Sequence, residues 1–175
     1  MEPSELERFE AIVLPHLDAA YTLARYLTRN DHDAEDVVQE ACLRALKYFG
    51  GYRGTEGDSG RAWVLAIVRN TAYTWRRRRR PDAGATEFNE ELHSEAVAGE
   101  HPEAALLRDA AAESLGRALD RLPDEFREVL VLRELEGLSY KEISEVAGIP
   151  VGTVMSRLSR ARRRLEHALC GEEER

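Results

Sequence analysis

The chain has 175 residues, a net charge of −8, 43% apolar and 33% charged residues, and a mean hydropathy of −0.50. That length holds one ordinary domain or two small ones, and no stretch approaches the roughly 18 uncharged apolar residues of a membrane-spanning helix. The acidic start MEPSELERFE lacks the apolar run of a secretory signal, and Cys42 and Cys170 lie far apart without paired or metal-ligand spacing, so that neither a disulfide framework nor a zinc site is read from them.

Leu6, Phe9, Val13, Leu17, Ala20, Leu23 or Ala24, and Leu27 recur at three- and four-residue spacing and predict a helix from Ser4. Pro15 is expected to kink or split it near Leu14, and Asn30 and Asp31 to end it. A second helix is predicted from Asp33 as N-cap, with Asp36 at the capping-box position, up to Gly50 and Gly51. Its apolar stripe is Val37, Val38, Ala41, Cys42, Ala45, Leu46 and Phe49; its other face carries Glu35, Asp36, Gln39, Glu40 and Arg44. Residues 50–60 hold five glycines and no aliphatic side chain, a loop that presents Tyr52 and Arg53. A third helix follows from Ser59 or Gly60 into the arginine run 76–80, with apolar strips at Trp63, Val64, Ile67, Val68, Thr71 and Trp75, and stops at Pro81.

Residues 81–104 lack periodicity and read as an acidic linker. Helical pattern resumes at Pro102 or Ala104 with Leu106, Leu107, Ala110, Ala111, Leu115, Ala118, Leu119 and Leu122, and again after Pro123 and Asp124 as far as Glu136 and Gly137. Ser139 is the predicted N-cap of a short helix, Tyr140 to Val146, with Glu142 at its capping-box position. Ala147 to Pro150 form a tight turn, and Gly152 and Thr153 open a last helix to about Leu169, whose Val154, Leu158, Ala161, Leu165 and Leu169 face the core. No strand pattern occurs. The expectation is all-α: two small helical domains, 1–80 and 105–175, joined by the linker.

The net charge misleads until it is divided. Residues 81–113 hold nine acids and one base, which accounts for the whole −8, whereas residues 61–80 carry seven arginines and no acid, and residues 151–165 five arginines and no acid. Local basic faces decide phosphate binding, not the overall balance. A short capped helix, a glycine turn and a longer basic helix form a helix-turn-helix, whose second helix enters the major groove. Thr153, Ser156, Arg157 and Arg160 stand where base edges are read, and Arg162, Arg163 and Arg164 where phosphates are held. Trp63, Asn70, Tyr73 and Trp75 precede the arginine run on one helix; mixed with basic residues they suit single-stranded DNA, although both tryptophans fit a core equally well. The acidic face of the second helix reads as either a solvated surface or a protein-docking surface. No phosphate-binding loop, dinucleotide fingerprint, metal-ligand spacing or catalytic constellation is present in the sequence, so no cofactor, metal or enzymatic activity is expected.

Three stretches together, DAEDVVQEACLRALKYF (33–49), RAWVLAIVRNTAYTWRRRRR (61–80) and LPDEFREVLVLRELEGLSYKEISEVAGIPVGTVMSRLSRARRRL (122–165), resemble the extracytoplasmic-function (ECF) sigma factors, the small bacterial promoter-specificity subunits of the sigma-70 family. The resemblance places region 2 at about residues 5–80 and region 4 at about 105–170. It implies that Asp33, Glu35, Asp36, Gln39, Glu40 and Arg44 dock on the β′ clamp helices of core RNA polymerase. It implies that Tyr52, Arg53, Trp63, Arg69, Asn70, Tyr73, Arg76 and Arg77 read and open the −10 element. It implies that Ser139, Tyr140, Thr153, Ser156, Arg157, Arg160, Arg163 and Arg164 read the −35 element. The implied partners are core polymerase (β′ clamp helices and β flap), promoter DNA and an anti-sigma factor. The implied place is the cytoplasm, on the nucleoid when active, with no membrane insertion. Met155 departs from the polar or basic residue that some members carry there. A one-component helix-turn-helix regulator would need a sensory domain or dimer face, and neither is apparent. A DNA invertase would rest on Tyr73 alone as a nucleophile beside arginines.

Overall fold

The computed structural model describes residues 3–54, 58–79 and 102–173, and among them every regular element is helical. Residues 80–101, most of the expected linker together with Pro81, lie outside the described residues. The first predicted helix is two. α1 (Pro3–Val13) and α2 (Leu17–Thr28) are separated by one 3-10 turn at Leu14–His16, because Pro15 has no N–H to continue the ladder. Arg29 ends α2 in the left-handed region at φ 59°.

α3 (Asp31–Tyr48) starts three residues before the position expected from the sequence. Its N-cap is Asn30, whose side-chain oxygen accepts the Asp33 N–H at 3.0 Å; Asp33 is therefore a first-turn acid and not the cap. A 3-10 turn, Phe49–Gly51, closes it, and α4 (Asp58–Arg79) follows. The core of this half is built from small residues set against larger ones: Ala20, Leu23, Ala24 and Leu27 of α2, Ala34, Val37, Ala41 and Ala45 of α3, and Ala62, Val64, Leu65, Val68 and Ala72 of α4. Leu46, expected in the stripe of α3, is instead exposed, as are Leu43 and Tyr48. Gly60 lets α4 pass close to α1, since a Cβ there would meet Ile12 Cγ2 at 3.1 Å.

The second half comprises α5 (Pro102–Asp120), α6 (Asp124–Leu130) with a π turn at Val131–Leu135, α7 (Tyr140–Ala147) and α8 (Val151–Glu173). α6 is central: Phe126 to Leu132 are all buried, Arg127 and Glu128 included. Only the C-terminal end of α5 packs, through Ala118, Leu119 and Leu122 beyond it, whereas Leu106 and Leu107 are exposed. Val154, Leu158 and Ala161 of α8 are buried, while Leu165 and Leu169 are half-buried where the helix extends past its neighbours. The two halves touch: α4 packs on α7 and α2 on α6.

Candidate nucleic-acid interface

The helix-turn-helix is assembled by local chemistry. Ser139 accepts the Glu142 N–H at 3.1 Å while the Glu142 carboxylate accepts the Ser139 N–H at 2.7 Å, a complete capping box. Gly148 ends α7 at φ +67°, where a side chain would be strained. Its N–H and that of Ile149 both bond to the Ser144 carbonyl. Arg133 closes the approach by donating to the Leu138 carbonyl at 2.8 Å.

At 100° per residue, Ser156, Arg160 and Arg163 fall on the side of α8 opposite Val154, Leu158 and Ala161, and all three are exposed. Thr153 is half-buried beside them, and the Ser156 hydroxyl donates to its carbonyl at 3.1 Å. Arg157 turns away from that face: its side chain is 25% exposed and its guanidinium lies 3.8 Å from Glu125 and 4.0 Å from Glu128. Arg164 lies over the Phe126 ring, and Arg162 pairs with Glu134 at 2.8 Å. Tyr140 is half-buried under Arg133.

The second basic element is α4. Residues 12–81, which contain it, match the family model Sigma-70 region 2, and residues 112–165 match Sigma-70, region 4. The chain is 38% identical over 171 residues to RNA polymerase sigma-H factor of Pseudomonas aeruginosa, covering 92% of this chain and 86% of that one. It is 34% identical over 154 residues to the ECF RNA polymerase sigma-E factor of Escherichia coli, covering 85% and 78%. The chain belongs to the ECF sigma factors. A solved structure of the sigma factor RpoE in complex with the anti-sigma factor NepR, from Bartonella quintana, superposes with a TM-score of 0.73 at 27% identity, covering 90% of this chain and 93% of that one. As a member of the sigma-70 family, this ECF sigma factor is a transcription initiation factor that binds core polymerase and confers promoter specificity.

In the sigma factor's N-terminal half, the residues expected at the −10 element fall into three groups. Tyr52 is buried, packed on Trp63 at 4.5 Å between ring centroids and on Phe49 at 6.0 Å. Its ring faces are spent on the core, so in this conformation it offers no platform for a base. Arg53, Asn70 and Arg77 are exposed and Trp63 is half-buried. The remaining three, Arg69, Tyr73 and Arg76, all point at the C-terminal half. Arg69 holds both oxygens of Glu128, at 2.7 and 3.2 Å, and Tyr73 donates to the same carboxylate at 3.0 Å. Burial, then the Glu128 charge, pushes the Tyr73 phenol well above its ordinary value, so it remains a donor. Arg76 pairs with Asp124. An open cleft of about 480 Å³ runs alongside, lined by Asn70, Thr74 and Arg77 as well as these three.

On α3, Glu35, Asp36 and Gln39 are exposed. Asp33 is held by Arg79 at 2.6 Å, and Glu40 pairs with Arg44 and lies 3.9 Å from Arg78. Sequence reasoning missed Arg61, Asp124, Glu128 and Glu142 as a set. Arg61 donates to both Glu142 oxygens, at 2.9 and 3.0 Å, and to the Glu136 carbonyl at 3.5 Å. The one available signal was Glu128 inside the apolar run FREVLVL, a charge that burial requires to be paired.

Proposed function

We propose that this sigma factor works by binding alone, in three contacts. The exposed acids of α3, Glu35 and Asp36, with Asp33 and Glu40 beside them and Leu43 and Tyr48 adding apolar area, dock on the β′ clamp helices of core polymerase. α8 anchors on duplex −35 DNA: Arg160 reads a base edge, and Arg163 holds phosphate. α4 captures the melted −10 strand, its arginines on phosphates and Trp63 or Tyr73 against bases. A captured strand cannot re-pair, so binding energy drives opening without ATP. An anti-sigma factor, of the kind bound to the RpoE relative, holds the protein inactive in the cytoplasm. The linker 81–104 joins domains 1–80 and 105–175.

The observation that carries this reading is the pair of basic helices, α4 ending in an arginine run and α8 carrying one at 162–164 in its middle, each on its own helical unit. Purified core polymerase, this protein and a library of promoter fragments test it in run-off transcription. Transcripts that start at shared −35 and −10 sequences are expected only when both proteins are present. Tight sequence-specific duplex binding by the protein alone, with no gain in transcription on adding core, would overturn it and favour a one-component regulator.

A further inference from the structure

α1 touches the glycine-rich stretch between α3 and α4 at both of its ends. At the start, Phe9 of α1 meets Phe49 edge to face at 5.3 Å between ring centroids, and the Arg8 guanidinium lies over the same Phe49 ring at 5.4 Å. Arg8 also donates to the Gly54 carbonyl at 3.3 Å, 46 residues further along the chain. At the far end, Ile12 packs against Gly60 in the first turn of α4, and the Tyr52 hydroxyl reaches the same spot: a Cβ on Gly60 would stand 3.6 Å from it.

Arg53 is therefore an exposed side chain between two held neighbours. On one side Tyr52 is fixed by its contacts with Phe49 and Trp63. On the other side Gly54 is held by Arg8. Glycines at 51 and 54 leave this short backbone without side chains to brace it. The direction in which Arg53 leaves the protein is then set by the tethers, and a recognition group that sits about 1 Å too loose loses its selectivity. A cation over a ring and an exposed hydrogen bond are each weak, which suits a contact that orients a neighbour and adds little to the stability of the fold. Arg8 also precedes residues 12–81, the stretch that matches region 2.

We infer that Arg8 is a positioning residue for −10 recognition: by covering Phe49 and holding the Gly54 carbonyl, it aims Arg53 at one base of the melted strand. Arg8 acts through Arg53 and not by contact with DNA. This rests on the reading of Arg53 and α4 as the −10 site.

The assay is core-dependent transcription from a library of −10 variants, with a library of −35 variants as the control. Arg8 is exposed, so R8M, which keeps the stem and removes charge and donors, is expected to fold and to melt as wild type does. It should flatten preference at one −10 position about fivefold and leave the −35 preferences unchanged. R53A should flatten the same position. R8M/R53A should go no further than R53A alone, because effects that pass through one side chain do not add. Three results overturn the inference: −10 preferences in R8M equal to wild type; an even weakening of all promoters with a flatter salt dependence, which marks a phosphate contact by Arg8 itself; or a full additional loss in the double variant. R53A alone separates the causes. If it shifts the −10 preference while R8M does not, the −10 reading stands and only the positioning fails; if neither shifts it, the reading of Arg53 falls as well.

Discussion

Replacing Arg127 by methionine should unfold the C-terminal half well before the N-terminal half. The Arg127 side chain is fully buried and donates to the carbonyls of Leu119 (2.8 Å), Asp120 (3.0 Å) and Leu122 (2.6 Å), to Asp124 (2.9 Å) and, across the boundary, to the Tyr26 carbonyl (3.4 Å). Burial lowers its pKa to about 10, which still leaves it charged at neutral pH. It thereby ties the end of α5 to α6, on which α8 packs. Methionine keeps the stem's packing and removes every donor. Breaking a buried, hydrogen-bonded ion pair from one side costs about 3–5 kcal/mol. Orphaned carbonyls cost about 1–3 kcal/mol each, but the turn at exposed Arg121 lets water reach some of them, so about 4 kcal/mol is expected for R127M. R127K keeps the charge without the fork and should lose about half of that. Both tryptophans, Trp63 and Trp75, lie on α4, so fluorescence reports the N-terminal half and far-ultraviolet circular dichroism the whole. With a urea dependence of about 2 kcal/mol per molar, the dichroism midpoint of the C-terminal transition should fall by about 2 M. A fall below about 0.5 M would show that the five contacts do not hold this turn.

Three further outcomes follow from the geometry. R160A should cost about 1–3 kcal/mol at one −35 position and relax preference there, while R163A weakens all sequences evenly and flattens the salt dependence; −35 libraries transcribed with each variant would show the reverse if the groove-facing side has been misplaced. G148A should destabilise by about 1–2 kcal/mol, because φ +67° strains any L side chain even though open space surrounds the glycine; thermal unfolding equal to wild type would contradict this. Burial pushes the Glu142 carboxyl up, but the Ser139 N–H and the Arg61 guanidinium outweigh it and hold its pKa below the ordinary value. The stability it adds is therefore present above about pH 4.5 and lost as pH falls through the lowered value. E142Q should be less stable at pH 7 and lose less on acidification to pH 4, and an unchanged acid slope would rule that out.

Local rules made most of the fold legible. Heptad-like spacing marked the helices, Pro15 marked the break between α1 and α2, and Ser139, Glu142 and Gly148 marked the helix-turn-helix almost to the residue. Errors arose where two local solutions were equally good. Asn30 and Asp33 are both sound caps, and the extended backbone at Asn30 decided for the first. Tyr52 in a glycine-rich loop looks exposed, but Phe49 and Trp63 draw it inward. At the candidate site, the basic helices were visible as charge runs. What they touch was not, because Arg69 and Glu128 stand 59 residues apart and no periodicity connects them.

The ion pairs between the halves also limit how such factors can recombine. A hybrid that joins residues 1–80 of this chain to the region 4 of a relative inherits the promoter preferences of its two parents, but it keeps Arg61, Arg69 and Arg76 without the acids they were matched to. Unless the new C-terminal half places carboxylates opposite all three, the hybrid loses the ion pairs that join its halves. Exchanging Asp124, Glu128 and Glu142 along with the promoter-reading residues is therefore a condition for building a hybrid whose halves stay paired.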